Sequence, residues 1–251
     1  ELYANTGRYD EAEEHLKRAL EIKPDFVASV GHLGTLEVGR GNSAAAAGWF
    51  RRAAEMSESW KERQGFVGAV CMALLDAGRP DEAISFLDDA STPPTGLVPK
   101  EEFAFRWHVV RSRAVLLALA GRVPEAEDEL GRLPAFPPEL DAKERAAYEK
   151  GLAAPRSALA GARGDLEAGV AGLREVLAGE KAEGSGGFPY YPSAFRLRVR
   201  LADALVTLGR SEEARRELRP VLAVNPRFAP ALAVLARLEG ERPAAEGSSG
   251  R

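Results

Sequence analysis

The sequence predicts an all-α protein built from a tandem helical repeat, and three observations carry that prediction. Four residue columns recur through six copies along the chain. Ala, Leu, Arg and Glu dominate the composition, and all are good helix formers. Runs of Val, Ile and Thr are scarce, so little or no sheet is expected.

The columns are set by a small residue at Ala12, Ala46, Ala83, Ala126, Gly169 and Ala214. Two closely packed helices need a small side chain at their contact, because a larger one forces the axes apart. Four positions on stand Leu16, Phe50, Leu87, Leu130, Leu173 and Leu218, large apolar partners on the same helical face. Three further on come Ala19, Ala53, Ala90, Leu133, Val176 and Val221. Five positions before each mark stands a glycine: Gly7, Gly41, Gly78, Gly121, Gly164 and Gly209. A helix end or tight turn demands glycine there. Unrelated amphipathic helices explain apolar periodicity but not that glycine column. The marks are 34 positions apart at first, then 37, 43, 43 and 45. The surplus lies between one repeat's second helix and the next repeat's first, or lengthens those helices.

In chain order, a second helix is expected over about 9–22, behind the tail of a first helix at Glu1–Thr6. Leu33-Gly34 marks the next first helix, and its partner follows a turn at Gly39–Asn42. Val67, Val70, Cys71 and Leu74 share the face of another, before a turn at Gly78-Arg79-Pro80. Pro80 and Asp81 suit a helix start. Residues 90–99 read as a loop and Lys100–Ala120 as one long helix, with Glu101 and Glu102 favourable in its first turn. Pro134, Pro137 and Pro138 break the pattern. Asp141–Ala162 reads as a second long helix that Pro155 should kink or split. Gly179–Pro192 is a third breaker, and a last full repeat runs from about Ser193 to Pro226. The array thus spans 1–239, in units of about 1–24, 25–58, 59–98, 99–138, 139–179 and 193–226, with a final helix over 229–239. Residues 240–251 read as a disordered tail.

These residues resemble the tetratricopeptide repeat. The likeness is strongest over 7–58 and 195–226, where Leu33-Gly34, Ala46, Phe50 and Ala53, then Leu201, Ala202, Leu205, Gly209, Ala214, Leu218 and Pro226, fall in register. The 34-residue spacing is the family's own. In the middle, Arg113 and Arg156 occupy a column that is usually leucine, and Gly169 replaces the usual alanine. The resemblance implies a right-handed superhelical solenoid of antiparallel helix pairs, whose first helices line a concave groove. It also implies that the activity is binding, of a peptide or partner protein, without catalysis.

Composition excludes several other classes. The net charge of −4 argues against general nucleic-acid binding, which needs a basic surface. No recurring pair of side chains suggests base reading by helical repeats. No apolar run approaches the roughly 20 residues that span a bilayer. Cys71 is the single cysteine, so no internal disulfide can form. That fits a reducing compartment, and cytoplasmic is favoured over periplasmic or secreted. The Ala/Arg/Gly-rich usage resembles that of high-GC bacteria. The chain begins at Glu1, inside a repeat, so an alternative reading makes it the accessory or regulatory repeat region of a larger enzyme or signalling protein.

No catalytic residue, metal site or cofactor is expected. No phosphate-binding Gly-x4-Gly-Lys-Ser/Thr occurs, and His15, His32 and His108 carry no metal-ligand spacing. Cys71 sits on an apolar helix face and reads as a buried, inert thiol. The resemblance places Ala28, Gly31, Thr35, Gly65, Gly68 and Met72 in the groove. They are small and largely uncharged, so the charged set that grips a chaperone's C-terminal carboxylate is missing. Further along, Arg106, His108 and Arg111 come from one first helix, and Arg196, Arg200 and Asp203 from another. If both face the groove, its later half is basic and suits an acidic peptide. The plainer reading, pairing with neighbouring glutamates, is the stronger of the two. Phe188, Tyr190 and Tyr191 form an aromatic loop that offers binding anchors or, by the stronger reading, packs down on the adjacent repeat.

Overall fold

The computed structural model describes residues 7–182 and 193–240. Among them the protein is all-α, a solenoid of antiparallel helix pairs. The helices are α1 (Tyr9–Ile22), α2 (Val27–Arg40), α3 (Ser43–Met56), α4 (Trp60–Asp76), α5 (Pro80–Asp89), α6 (Pro99–Leu119) and α7 (Val123–Leu130). They continue as α8 (Ala142–Lys150), α9 (Ala153–Ala162), α10 (Leu166–Ala182), α11 (Ser193–Thr207), α12 (Ser211–Val224) and α13 (Ala229–Gly240). The pairs α2/α3, α4/α5, α6/α7, α9/α10 and α11/α12 pack along their lengths, and α3/α4, α5/α6, α10/α11 and α12/α13 join pair to pair.

The glycine column is the turn between the two helices of a pair. All six glycines have φ between 71° and 84°, the left-handed region that a Cβ disfavours. The N–H of Gly41, Gly78, Gly121, Gly164 and Gly209 donates to the carbonyl three residues back. The next N–H in each case reaches the carbonyl five residues back. This is the Schellman cap, which satisfies helix-end carbonyls that would otherwise lack partners.

The small-residue column is the helix contact. Ala46, Ala83, Ala126 and Ala214 are fully enclosed. At Gly169 the pair is tighter still. A Cβ on Gly169 would lie 3.4 Å from the backbone of Gly161, and one on Gly172 would lie 2.6 Å from Ser157. The Ser157 hydroxyl crosses the contact to donate to the Gly169 carbonyl at 2.8 Å. Gly34 faces the ring of Phe50, which leaves no room for a side chain there. One hydrophobic core runs from Val30 to Leu238, with satellites around Tyr9, Ala12 and Leu36 and around Phe103, Trp107 and Leu140.

The surplus residues build the second satellite. The helix expected over 141–162 is two helices, α8 and α9, which part at Gly151 and Leu152 rather than at Pro155. Pro155 stands in the first turn of α9, where a missing N–H costs nothing. Gly151 is pressed on the Trp107 ring, which a Cβ would meet at 2.6 Å. α8 starts with a full capping box between Asp141 and Glu144. It is held by Tyr148, whose ring lies edge-on to Phe103 and Trp107, each at 5.0 Å. Arg113 stands in the column usually held by leucine and reaches Asp88 of α5 at 2.8 Å and Glu129 of α7 at 2.9 Å. α10 continues through Ala182, so the start of the breaker expected at Gly179 is helical.

Candidate functional site

The first helices of successive pairs stand side by side, α4 against α6, α6 against α9 and α11 against α13. The line then returns on itself, because α13 packs against α2. A Cβ on Gly41 would lie 3.0 Å from the Cβ of Ala229. Tyr9, at the start of α1, is buried at this seam. Its hydroxyl lies 3.1 Å from Asn225 Oδ1 and 3.3 Å from the Arg227 carbonyl, both of which accept. The Arg227 guanidinium stacks on the ring at 5.4 Å and donates to the Gly7 carbonyl. Burial pushes the Tyr9 phenol up. Arg40 lies over the same ring at 5.8 Å and pairs with Asp10, Glu13 and Glu37. A cleft of about 380 Å³ opens beside the seam between Gly7–Glu11 and Pro226–Arg227.

The small residues assigned to the early inner face are none of them exposed. Gly31 and Gly65 are buried, and Ala28, Thr35, Gly68 and Met72 are half-buried. The Thr35 hydroxyl donates to the Gly31 carbonyl at 3.3 Å.

The structure separates the three residues singled out on α6. Arg106 is exposed and bound to Glu102 at 2.7 Å. It stands at the rim of a different cleft, about 270 Å³, with Arg132, Val109, Val110 and Pro134. His108 and Arg111 share the other side of the helix. Burial and the like charge of Arg111 push the His108 imidazole down to about 3, so it stays neutral at physiological pH. The Arg111 guanidinium lies over the Trp107 ring at 5.5 Å. Its Nε is sealed from solvent without a hydrogen-bond partner. Arg111 has no carboxylate partner among the described residues. Burial, unrelieved by any acid, holds its pKa below the usual guanidinium range.

On α11, Arg196 is ion-paired with Asp76 at the end of α4, and the two side chains are 11% and 15% exposed. Arg200 is half-buried. Asp203 pairs with Arg237 of α13. Phe188, Tyr190 and Tyr191 lie outside the described residues. Sequence reasoning missed Asp76, Trp107 and the seam around Tyr9, Asn225 and Arg227. Trp107 was discoverable, since it stands one turn before Arg111 on the same helix. Asp76 and the seam carried no local signal.

Among the described residues no three His, Cys, Asp or Glu side chains gather as a metal site. No described helix is long and apolar enough to cross a membrane. Cys71 is buried, its Sγ donating to the Ala83 carbonyl at 3.4 Å, and burial pushes the thiol up to about 12. It is therefore a thiol, not a thiolate, at neutral pH.

Comparison with known proteins agrees with the fold. One tetratricopeptide-repeat model matches residues 1–59, and a second matches residues 107–132 and 196–220. A crystal structure from Podosopora anserina, described as a kinesin light chain with nearly identical TPR-like repeats, is 20% identical. It aligns over 80% of this chain and 95% of that one with a TM-score of 0.37, too low to guide detail. No curated protein sequence matches. Tetratricopeptide repeats are in general protein-interaction modules. With its glycine caps and small-residue helix contacts, the chain is similar to the tetratricopeptide-repeat family over residues 1–59, 107–132 and 196–220.

Proposed function

We propose that the protein is a non-catalytic scaffold that binds an acidic peptide segment of a partner protein along its inner face. The observation that carries the reading is the distribution of charge. By the repeat register, the groove positions of α2 and α4 are small and nearly uncharged, whereas those of α6 and α11 include His108, Arg111, Arg196 and Arg200, all half-buried. Arg196 pairs with Asp76, and Arg111 has no carboxylate partner among the described residues. Burial strengthens the attraction of such groups for an incoming carboxylate, because little water screens them. The inert thiol of Cys71 fits a binding role as well.

Selection of random peptides displayed on phage against the immobilised protein tests this directly. Enriched sequences should carry more Asp and Glu than the starting library and should compete with one another. Enrichment of neutral or basic peptides would overturn the reading.

A further inference from the structure

We infer that the array is closed on itself by the contact between its two ends at Tyr9, and that this closure keeps the inner face shut until the seam parts. The closure controls access to the site proposed above, a statement that rests on the scaffold reading. Two contacts join first helices of units far apart in the chain. In one, the start of α13 meets the C-terminal end of α2, where a Cβ on Gly41 would lie 3.0 Å from that of Ala229. In the other, Arg196 in the first turn of α11 is ion-paired with Asp76, the last residue of α4. The late first helices are in turn fixed to each other, since the Phe195 ring of α11 lies edge-on to Phe228, just before α13, at 5.7 Å. The early first helices therefore face the late ones. Of the groove positions, Gly31 and Gly65 are buried, and His108, Arg111, Arg196 and Arg200 are half-buried. None of these six lines either cleft described above. Asp76 already occupies Arg196, so the closed chain supplies from within an acid that a partner would bring.

The seam is the part of the ring that can open. A helical array is stabilised between neighbouring units, so no unit needs the end-to-end contact in order to fold. That contact gathers around one ring. The Tyr9 hydroxyl donates toward Asn225 Oδ1 at 3.1 Å and the Arg227 carbonyl at 3.3 Å. The Arg227 guanidinium stacks on the ring at 5.4 Å and donates to the Gly7 carbonyl at 3.3 Å. The cleft beside it brings solvent to its edge. Small polar contacts of this kind exchange for water at little net cost, whereas the helix pairs bury continuous apolar faces. Local opening follows the weakest such boundary.

The test measures the distance across the seam by pulsed electron paramagnetic resonance on the whole chain. Nitroxide labels are placed through Arg18→Cys on α1 and Ala236→Cys on α13, both exposed positions. Cys71, buried and held as a thiol, takes no label. The otherwise unaltered chain should give one dominant short distance. Tyr9→Phe removes the hydroxyl, and Arg227→Gln removes the stack from the other side of the seam. Each should raise the ratio of long to short distances about two- to tenfold, the effect of losing one such contact, with helicity unchanged by circular dichroism. Acetylated, amidated hexaglutamate should raise the same ratio saturably, and hexalysine should not. Because only the open form binds, both variants should bind hexaglutamate more tightly by the factor by which opening rises. A single long distance before any substitution, or a ratio that neither variant moves, would overturn the closure. If hexaglutamate binds all forms equally and leaves the distances unchanged, the control of access falls while the scaffold reading stands. If the variants open the seam but hexaglutamate binds none of them, the closure stands and the scaffold reading falls.

Discussion

The stretch α2–α5 and the stretch α6–α9 use the same turn and the same helix contact but solve different problems. In α2–α5 the units are short, the contacts are Ala46, Phe50, Ala53, Ala83 and Leu87, and these residues belong to the main core. In α6–α9 the first helix has 21 residues, an extra helix is inserted, and an aromatic satellite fills the space between them. The leucine column there becomes Arg113, tied to Asp88 and Glu129. The regular units enclose polar atoms too, among them Gln64 Oε1 and Arg51 Nε without a partner, but Arg51 is ion-paired with Glu82. The irregular one leaves Arg111 and His108 enclosed, and that is where recognition is proposed. Departures from a repeat pattern thus mark where a scaffold has been adapted, while the pattern itself reports packing.

Truncating a large ring in each stretch should have the greatest effect and divide them most clearly. Phe50→Ala should cost about 3–5 kcal/mol, read as a lowered urea midpoint for the whole array. Trp107→Ala removes a ring from the satellite, so its first readout should be faster hydrogen exchange over 142–150, where Tyr148 loses its support. If exchange there is unchanged, the satellite does not hold α8. Ala46→Leu should cost about 1–3 kcal/mol by overpacking a fully enclosed contact, again in the urea midpoint. Gly121→Ala should cost about 1–2 kcal/mol. Open space surrounds that position, so the loss would come from the backbone at φ 77° alone.

Much of the fold was legible because its determinants are local. A glycine at a left-handed cap and a small residue at a helix contact act within one unit, and each recurs in every copy. Pro99, Pro80 and the run Pro134–Pro138 likewise announce boundaries by their own chemistry. The break at Gly151 was not legible, because it depends on Trp107, over forty residues away. Nor was the meeting of α2 with α13. It depends on small rotations between successive units, which no single column encodes. For the site, residue type pointed to the arginines but could not say which were already paired. Glu102 lies one turn from Arg106 and could be guessed, but Asp76 reaches Arg196 only through the fold. Because of that pair, reversing Arg196 to Glu would set two enclosed carboxylates together and confound loss of binding with loss of structure.

A further effect separates the stretches by pH. His108 is held neutral by burial and by Arg111, well below the ordinary imidazole value near 6.5. As pH falls below about 6.5, the unfolded chain takes up a proton that the folded chain refuses until about 3. Stability is therefore full above that window and declines as pH drops through it, by up to about 1.4 kcal/mol per pH unit. His108→Gln should flatten this limb of the urea midpoint against pH. A limb of unchanged slope would mean that His108 is not enclosed as described.

The most direct test of whether recognition resides in the irregular stretch is calorimetric binding of one selected acidic peptide to three proteins. These are wild type, Arg111→Met, and Arg52→Gln, which removes an exposed arginine from the regular stretch. Arg111→Met should weaken the dissociation constant by about tenfold or more, as loss of one charge-assisted pair of hydrogen bonds implies, while Arg52→Gln should bind as wild type does. Equal affinity for wild type and Arg111→Met, or an equal loss in Arg52→Gln, would contradict it.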